Sequence, residues 1–477
     1  MYRFHVIQPP AGSLDFREVS AAAAAAGGDP RPAAAPRHLS QPVALPASVR
    51  LVFPKAADPA LVDAAAAMAF LLKQETWHRG QASMVGILAG IRVLDFGRYI
   101  AGPYCAALLA EHGAEVIRIE KREGSEDRYV APVGTGGEGA LFLQMNRNKL
   151  SLTLDPMTPA GQEIVRRLVR TADVVVANLP PQTLAAMHLD YDSLTAVKPD
   201  IILTTSSAFG PDGPYGDRVG FDGVGQVMSG AVYMTGEPDR PYRAQVPWVD
   251  FGTALHCAFG TMAALMARRE TGKGQKVEGA LLATALTFTN ALLIEQAVIE
   301  ANRVPTGNRG QTAAPVDLYR TQDGWIICQV IGQPLYRRWA ALMGEPHWLE
   351  DARFKNDLSR GDHGQVISER MGRWCAGRTT AEALEILGEE KIPAAPVLKP
   401  QQTLDHPQVR AMGLFQPIDY PGLKRPAPIA KTPVWLSETP AGICRRAPLL
   451  GEHTEQILQQ IGYDEAAIGE LRRTGVV

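Results

Sequence analysis

Asp250 stands in the segment Val246-Pro247-Trp248-Val249-Asp250-Phe251-Gly252-Thr253. The first four residues read as a short extended piece. Ala254, Leu255, Ala258, Met262, Ala263, Leu265 and Met266 then recur at helical spacing. Arg268 and Arg269 complement the far end of the helix dipole, and Gly272 stops the helix. Asp250 is thereby placed at a strand-to-helix junction, where nearby helix N–H groups favour the carboxylate over the acid. An ionised aspartate at such a turn, beside a glycine that lets a substrate approach, can act as a nucleophile. The same position suits an N-cap, and this stretch alone favours the cap.

Basic side chains supply the second kind of chemistry. Lys121 and Arg122 follow an expected strand that ends at Glu120, and they point to a phosphate or a purine face. Asn146-Arg147-Asn148-Lys149 precedes another strand and reads, alone, as a solvated turn. With Lys121 and Arg122 it forms a second basic cluster on the same nucleotide-binding unit. The loop at 206–222 is rich in Gly and Pro and ends on Phe221-Asp222; such loops favour functional residues.

The elements that must position these residues are legible from about Gly90 onward. Residues 91–96 read as a strand, 97–103 as a glycine-containing turn, 104–113 as a helix and 114–120 as a second strand. This βαβ unit implies a doubly wound, Rossmann-like parallel sheet. Gly97 and Gly102 do not complete a GxGxxG fingerprint, so a nicotinamide cofactor is weakly signalled. Strands follow at 150–154, 173–177 and 201–205, with a helix at 160–171 and a turn at 178–181. A long apolar helix is expected at 280–299. Beyond it, 316–330 reads as a hairpin turning at Asp323-Gly324, with helices at 335–343, 364–375 and 380–390. These make a smaller α+β domain. The resulting division is an extension at 1–84, a large domain at 85–275, a linker helix at 276–305, a small domain at 306–409 and a C-terminal segment at 410–477 that returns to the large domain.

Within the extension, low-complexity sequence precedes one strand at 49–53 and a helix at 59–77. Composition narrows the function classes. The 477-residue chain is 46% hydrophobic and 21% charged with a net charge of -2, which gives no global pull toward nucleic acid or anionic membrane. No apolar run reads as long enough to span a bilayer, and the N-terminus lacks a signal peptide's apolar core. The five cysteines include no CxxC pair, so neither a zinc site nor a disulfide framework is signalled and a reducing cytoplasm fits.

Four stretches together resemble the family III CoA-transferases, which include formyl-CoA transferase, carnitine CoA-transferase and the α-methylacyl-CoA racemases. They are VLDFGRYIAGP with HGAEVIRIEK, NRNKLSLTLD, the VDFGTALHCAFGTMAALMARRETGKGQKVE block and RAPLLGEHTEQIL. The resemblance runs from about Gly90 to the C-terminus and leaves out the extension before about Met84.

The resemblance implies an interlocked dimer of two-domain subunits, with CoA on the large domain and acyl groups near the domain junction. It makes Asp250 the catalytic aspartate and Asp222 an assisting acid, a role no stronger here than ordering the loop backbone. Lys121, Arg122, Asn146, Lys149 and Asn178 would face CoA. The family's NFxPG turn is altered to Asn178-Leu179-Pro180-Pro181, and its later arginine is Ala186. Ile100, Phe221, Gly310 and Gln311 would line the acyl pocket or its loop, and backbone N–H groups near Gly310 are candidate oxyanion donors. Phe221 replaces the histidine of the racemases' GHD motif, and a phenyl ring cannot move a proton. Ile100 replaces a glutamine, and the glycine run of formyl-CoA transferases is broken at Gln311. Formate and oxalate are therefore disfavoured.

The expected activity is transfer of CoA from an acyl-CoA to a free carboxylic acid through an aspartyl mixed anhydride and an enzyme–CoA thioester. No metal or redox cofactor enters it. The alternatives are an α-methylacyl-CoA racemase or other isomerase, and a catalytically silent CoA-binding protein.

Overall fold

The computed structural model describes residues 86–136 and 138–477. The expected strand at 49–53 and helix at 59–77, with the rest of the extension to residue 84, lie outside the described residues.

The described residues open with β1 (Arg92–Asp95), α1 (Ala101–Glu111), β2 (Glu115–Glu120), α2 (Ala140–Met145), β3 (Lys149–Thr153), α3 (Pro159–Thr171), β4 (Val174–Ala177), the short α4 (Pro181–Ala186) and α5 (Tyr191–Val197), and β5 (Ile202–Ser207). Strand β8 (Lys276–Ala280) completes a six-stranded sheet in the order β3-β2-β1-β4-β5-β8, parallel throughout. Val93, Leu94, Ile117, Leu152, Val174 and Val175 are fully or almost fully buried. Continuous β-branched and leucine runs of this kind belong to strands covered on both faces. The strand order reverses between β1 and β4, so the β1–α1 turn and the end of β4 flank the crevice where doubly wound sheets bind ligands.

Between β5 and β8 lie α6 (Asp222–Met228), α7 (Ala231–Met234), a two-residue hairpin of β6 (Gly236–Glu237) and β7 (Arg240–Pro241), and the long α8 (Trp248–Thr271). Gly272 ends α8 at φ 67°, its N–H on the Arg268 carbonyl, as the sequence implied. Buried small residues of α8, among them Ala254, Cys257, Ala258 and Ala264, share one core with Cys105, Ala106 and Leu109 of α1. After β8 comes α9 (Leu281–Ile299), so the linker helix expected at 276–305 is corrected: its first residues are a strand paired with β5 in the large sheet, and the helix ends at Ile299.

A second core lies within residues 314–392 and is built on Tyr336, Trp339, Phe354, Ile367 and Met371. It covers an antiparallel sheet of β9 (Val316–Arg320), β10 (Trp325–Gln329) and β11 (Ala394–Pro396) with α10 (Gln333–Leu342), α11 (Asp357–Asp362), α12 (Gly364–Ala376) and α13 (Thr380–Glu389). The hairpin and helices stand where the sequence placed them. The helices α14 (Pro400–Asp405) and α15 (Pro407–Ala411) and the hairpin β12 (Phe415–Ile418)–β13 (Ala427–Ala430) follow. The last segment carries α16 (Thr454–Gln460) and α17 (Glu465–Arg473). It docks on β3: the Thr153 N–H donates to Thr454 Oγ1 at 3.1 Å, and Asn148 Oδ1 accepts from the N–H groups of Cys444 and Arg445.

A second expectation is corrected. Both α8 and α9 are long and apolar enough to cross a bilayer by length and composition. Helix α8 is the core partner of α1. Helix α9 buries only 17% of its apolar window within this chain.

Candidate active site

Asp250 lies in the first turn of α8, three residues after the N-cap Pro247. The extended reading of the segment before it is corrected, since Trp248 and Val249 are already helical. The cap reading passes to another residue. Asp222 Oδ1 accepts from the N–H groups of both Val249, at 2.8 Å, and Asp250, at 3.1 Å. Its other oxygen accepts from Gln226 Nε2. Asp222 is 8% exposed, and it satisfies orphan donors at the start of α8 from a different helix.

The helix N–H groups nearest Asp250 are thus taken, and among the described residues no group donates a hydrogen bond to its carboxylate. Burial pushes its pKa up to about 7, and the Asp222 charge adds to the rise. The expectation that the helix start would favour the ionised form is corrected, because desolvation wins over a dipole already capped. Gly252 is reassigned as well. A Cβ there would meet Phe288 Cε2 at 2.6 Å and Thr284 Cγ2 at 3.0 Å, so the glycine serves the close approach of α9 rather than a substrate.

The β1–α1 turn is held by Asn178 at the end of β4. The Asn178 Oδ1 accepts from the Arg98 N–H at 2.6 Å, and its Nδ2 donates to the Arg98 carbonyl at 2.9 Å. Gly97 and Gly102 permit this packing, because a Cβ on Gly102 would meet Gly97 Cα at 2.9 Å and Asn178 Oδ1 at 3.0 Å. Below the turn, Lys149 is fully buried and donates to Asp95 Oδ2 at 2.7 Å, the Pro103 carbonyl at 2.7 Å and Asn146 Oδ1 at 3.0 Å. Burial pulls the Lys149 pKa down to about 8 against the opposing pull of Asp95. Burial raises the Asp95 pKa, but Lys149 and Arg118 outweigh it and hold it below the ordinary value. Arg118 spans Asp127, at 2.8 Å, and the Gly97 carbonyl.

The five residues expected to face CoA therefore separate. Lys149, Asn146 and Asn178 turn their polar atoms inward and build the turn, which corrects the reading of direct phosphate contact. Lys121 and Arg122 remain exposed, with Lys121 paired to Glu126. Ile100 is 6% exposed and precedes α1, so it belongs to the core rather than to a pocket wall. Phe221 is 66% exposed, directly before Asp222. The Gly310 N–H already donates to the Val316 carbonyl at 2.7 Å, which removes it as an oxyanion donor, and Gln311 Nε2 donates to the Val304 carbonyl. Within the chain this loop is tied through Gly307 to Gly236, not to Asp250.

Two residues escaped the sequence reading. Gln226 links Asp222 to the Ala244 carbonyl and N–H, steering the segment that leads into α8. Its position four residues after Asp222 on one helix was the available signal. Arg98 lays its guanidinium on the Phe96 and Gly97 carbonyls, in the crevice between β1 and β4. A groove of about 590 Å³ opens between β9 and α12 around Arg309, Asp317 and Ser368, and it contains none of the Asp250 cluster. Among the described residues no group of three His, Cys, Asp or Glu could hold a metal ion.

Comparison with known proteins bears directly on this arrangement. The model of CoA-transferase family III matches residues 88–454. The succinate–glutarate CoA-transferase of Agrobacterium fabrum is 33% identical over 390 residues, covering 78% of this chain and 95% of that protein. The succinyl-CoA–D-citramalate CoA-transferase of Chloroflexus aurantiacus is 32% identical over 404 residues, covering 82% and 98%. A crystal structure of a CaiB/BaiF family protein from Brucella suis superposes with a TM-score of 0.70 at 29% identity, covering 79% of this chain and 99% of that one. With the matched span embracing the β1–α1 turn, Asp222 and Asp250, this chain belongs to CoA-transferase family III.

Proposed function

We propose that the protein moves CoA from an acyl-CoA to a free carboxylic acid, with Asp250 as the nucleophile. The observation that carries this reading is a part-buried carboxylate with no hydrogen-bond donor among the described residues, its pKa raised to about 7, fixed at a helix start by a second aspartate. A more basic and less solvated carboxylate attacks a thioester more readily than one held by donors. Asp250 attacks the thioester carbonyl, the C–S bond breaks, and a mixed anhydride and CoA thiolate form. The thiolate attacks the Asp250 side-chain carbonyl and expels the donor acid as its carboxylate, leaving an enzyme–CoA thioester. The acceptor carboxylate then displaces the thiolate from that carbonyl, and the thiolate takes the new acyl group and frees Asp250. Each step exchanges one acyl linkage for another, so the route calls for no metal or redox group.

Asp222 holds Val249 and Asp250 in place, and its neighbouring charge disfavours a second negative charge on Asp250 until substrate arrives. Both Asp222 oxygens are occupied, which argues against its service as a mobile racemase base. The crevice beside Arg98, Lys121 and Arg122 is the proposed seat of CoA.

We also infer an interlocked homodimer, cytoplasmic in location. Leu255, Phe259 and Met266 of α8 and Ile294, Val298 and Ile299 of α9 are all more than half exposed in one chain. Apolar exposure on this scale suits a subunit interface. The five free cysteines, four of them buried, suit a reducing compartment.

Asp250→Asn keeps the volume and should abolish transfer by several orders of magnitude with the fold intact. In wild type, hydroxylamine added after acyl-CoA should trap a hydroxamate that peptide mass spectrometry places at Asp250. Full activity in the Asn variant, or trapping elsewhere, overturns the assignment.

A further inference from the structure

Phe221 and Tyr99 form an aromatic pair that the turn and cap chemistry leave unexplained. Their rings meet edge to face with centroids 5.5 Å apart. The phenyl ring is 66% exposed although Phe221 immediately precedes a buried residue. Its backbone is fixed: the Phe221 carbonyl accepts from the Val224 N–H at 2.9 Å, and a Cβ on Gly220 would meet Ala208 Cβ at 2.9 Å and Val224 Cγ2 at 3.0 Å. Tyr99 sits at φ 59°, a left-handed conformation that a bulky residue adopts only under constraint from its surroundings. That conformation belongs to the same turn that Asn178 and Arg118 clamp. An aromatic held in a costly backbone state beside a second, outward-facing aromatic is preorganised contact surface.

Phe221 is bonded to Asp222, whose carboxylate accepts the backbone N–H of Asp250, so Phe221 is tied to the backbone that carries the proposed nucleophile. A second aromatic pair involves the residue after Asp250, where Phe251 meets Tyr104 of α1 edge to face at 5.1 Å. Among the described residues no cationic side chain pairs with Asp222 or Asp250, and the guanidinium of Arg98, which precedes Tyr99, is engaged on the Phe96 and Gly97 carbonyls.

Resting on the proposed nucleophile, we propose that Tyr99 and Phe221 form the wall against which the acyl group lies, and that the preferred acyl groups are apolar: aryl or branched-chain rather than short dicarboxylic. Burying a phenyl or isopropyl group against two ring edges gains both area and aromatic contact, while a dicarboxylic acyl chain would bring an unpaired charge there.

The test measures the single-turnover burst of free acid, with enzyme in excess, from phenylacetyl-CoA, isovaleryl-CoA and succinyl-CoA. This half-reaction needs no acceptor. Wild type should release phenylacetate and isovalerate at least about 10-fold faster than succinate at subsaturating donor. In Phe221→Ala and Tyr99→Leu the phenylacetyl-to-succinyl ratio should fall by at least about 10-fold, with melting curves checking the fold. A ratio unchanged in both folded variants, or a wild-type preference for succinyl-CoA, overturns the acyl-wall proposal. If Tyr99→Leu does not fold, the ratio in Phe221→Ala decides alone, since its ring is largely exposed. Absence of a burst from every donor tested, with no hydroxamate at Asp250, would instead strike the proposed nucleophile itself.

Discussion

At Asp250 the competition is between burial and the helix start, and burial prevails because Asp222 has already taken the N–H groups. The consequence is a pH dependence with a definite sign. The unfolded carboxyl titrates near its ordinary 3.8, and the folded one near about 7. Between those values the folded state holds a proton that the unfolded state has lost, so this group weakens the fold as pH rises through the window. Asp250→Asn carries no such proton. Its melting temperature should gain on wild type from pH 4 to pH 7, and the gap should then stay level; a constant gap across that range contradicts the raised pKa. On the proposed route catalysis follows the opposite course, because attack by Asp250 needs the carboxylate. The acyl-CoA kcat/KM should rise with pH through about 7 and level off above it. Asp222→Asn removes a charge yet leaves an oxygen for the cap, so the rising limb should move to lower pH. The move should be partial, since burial is the larger cause. A limb that stays in place shows that Asp222 does not act on Asp250 electrostatically.

At the scale of elements, the β1–α1 turn is shaped from beneath. Lys149, Asp95, Asn146 and Arg118 form a buried polar network whose outlets are the Pro103 and Gly97 carbonyls. Lys149→Met keeps the length of the side chain but leaves the Asp95 carboxylate short of its nearest partner. Breaking a buried pair from one side costs about 3–5 kcal/mol, and denaturant unfolding should show a loss of that order. A direct phosphate contact predicts something else: stability within about 0.5 kcal/mol of wild type with a raised KM for acyl-CoA. Asn178 belongs to the same argument. Its side chain imitates a strand partner for Arg98, so it supports the crevice without offering it a donor.

Over the whole molecule, the uncovered apolar length of α9 asks for a partner. A second copy of the chain is the partner proposed above, and light scattering should then give twice the chain mass without detergent. Placing charges on the exposed face, as in Ile294→Lys with Val298→Lys, should yield monomer or aggregate and reduce transfer, because such a face tolerates water poorly. A wild-type monomer at micromolar concentration would contradict this. Length and hydropathy alone do not separate the two readings of this helix, since an interface helix and a membrane span share both properties.

Much of this was legible in the linear order of residues. Five of the six parallel strands announced themselves as short β-branched runs, the helix of Asp250 by its 3.6 period and its terminal Gly272, and the hairpin by Asp323-Gly324, because these signals are local; β8 did not, since its residues Lys276–Ala280 read as the start of a linker helix. Asp250 and Asp222 were also singled out in the sequence, by motif and order, and the fold brings the two together. Which of the two caps α8 was not legible, because the answer depends on a contact between residues 28 positions apart. Nor could the sequence tell that Lys149 and Asn178 face inward while Lys121 faces out: all three are polar residues at strand ends, and only the stacking of β1, β3 and β4 decides which side of the turn is water. The pKa of Asp250 is the clearest case. Its sign was read from the nearest helix, whereas the folded chain sets it by desolvation, a property of everything packed around the carboxylate and of no residue alone.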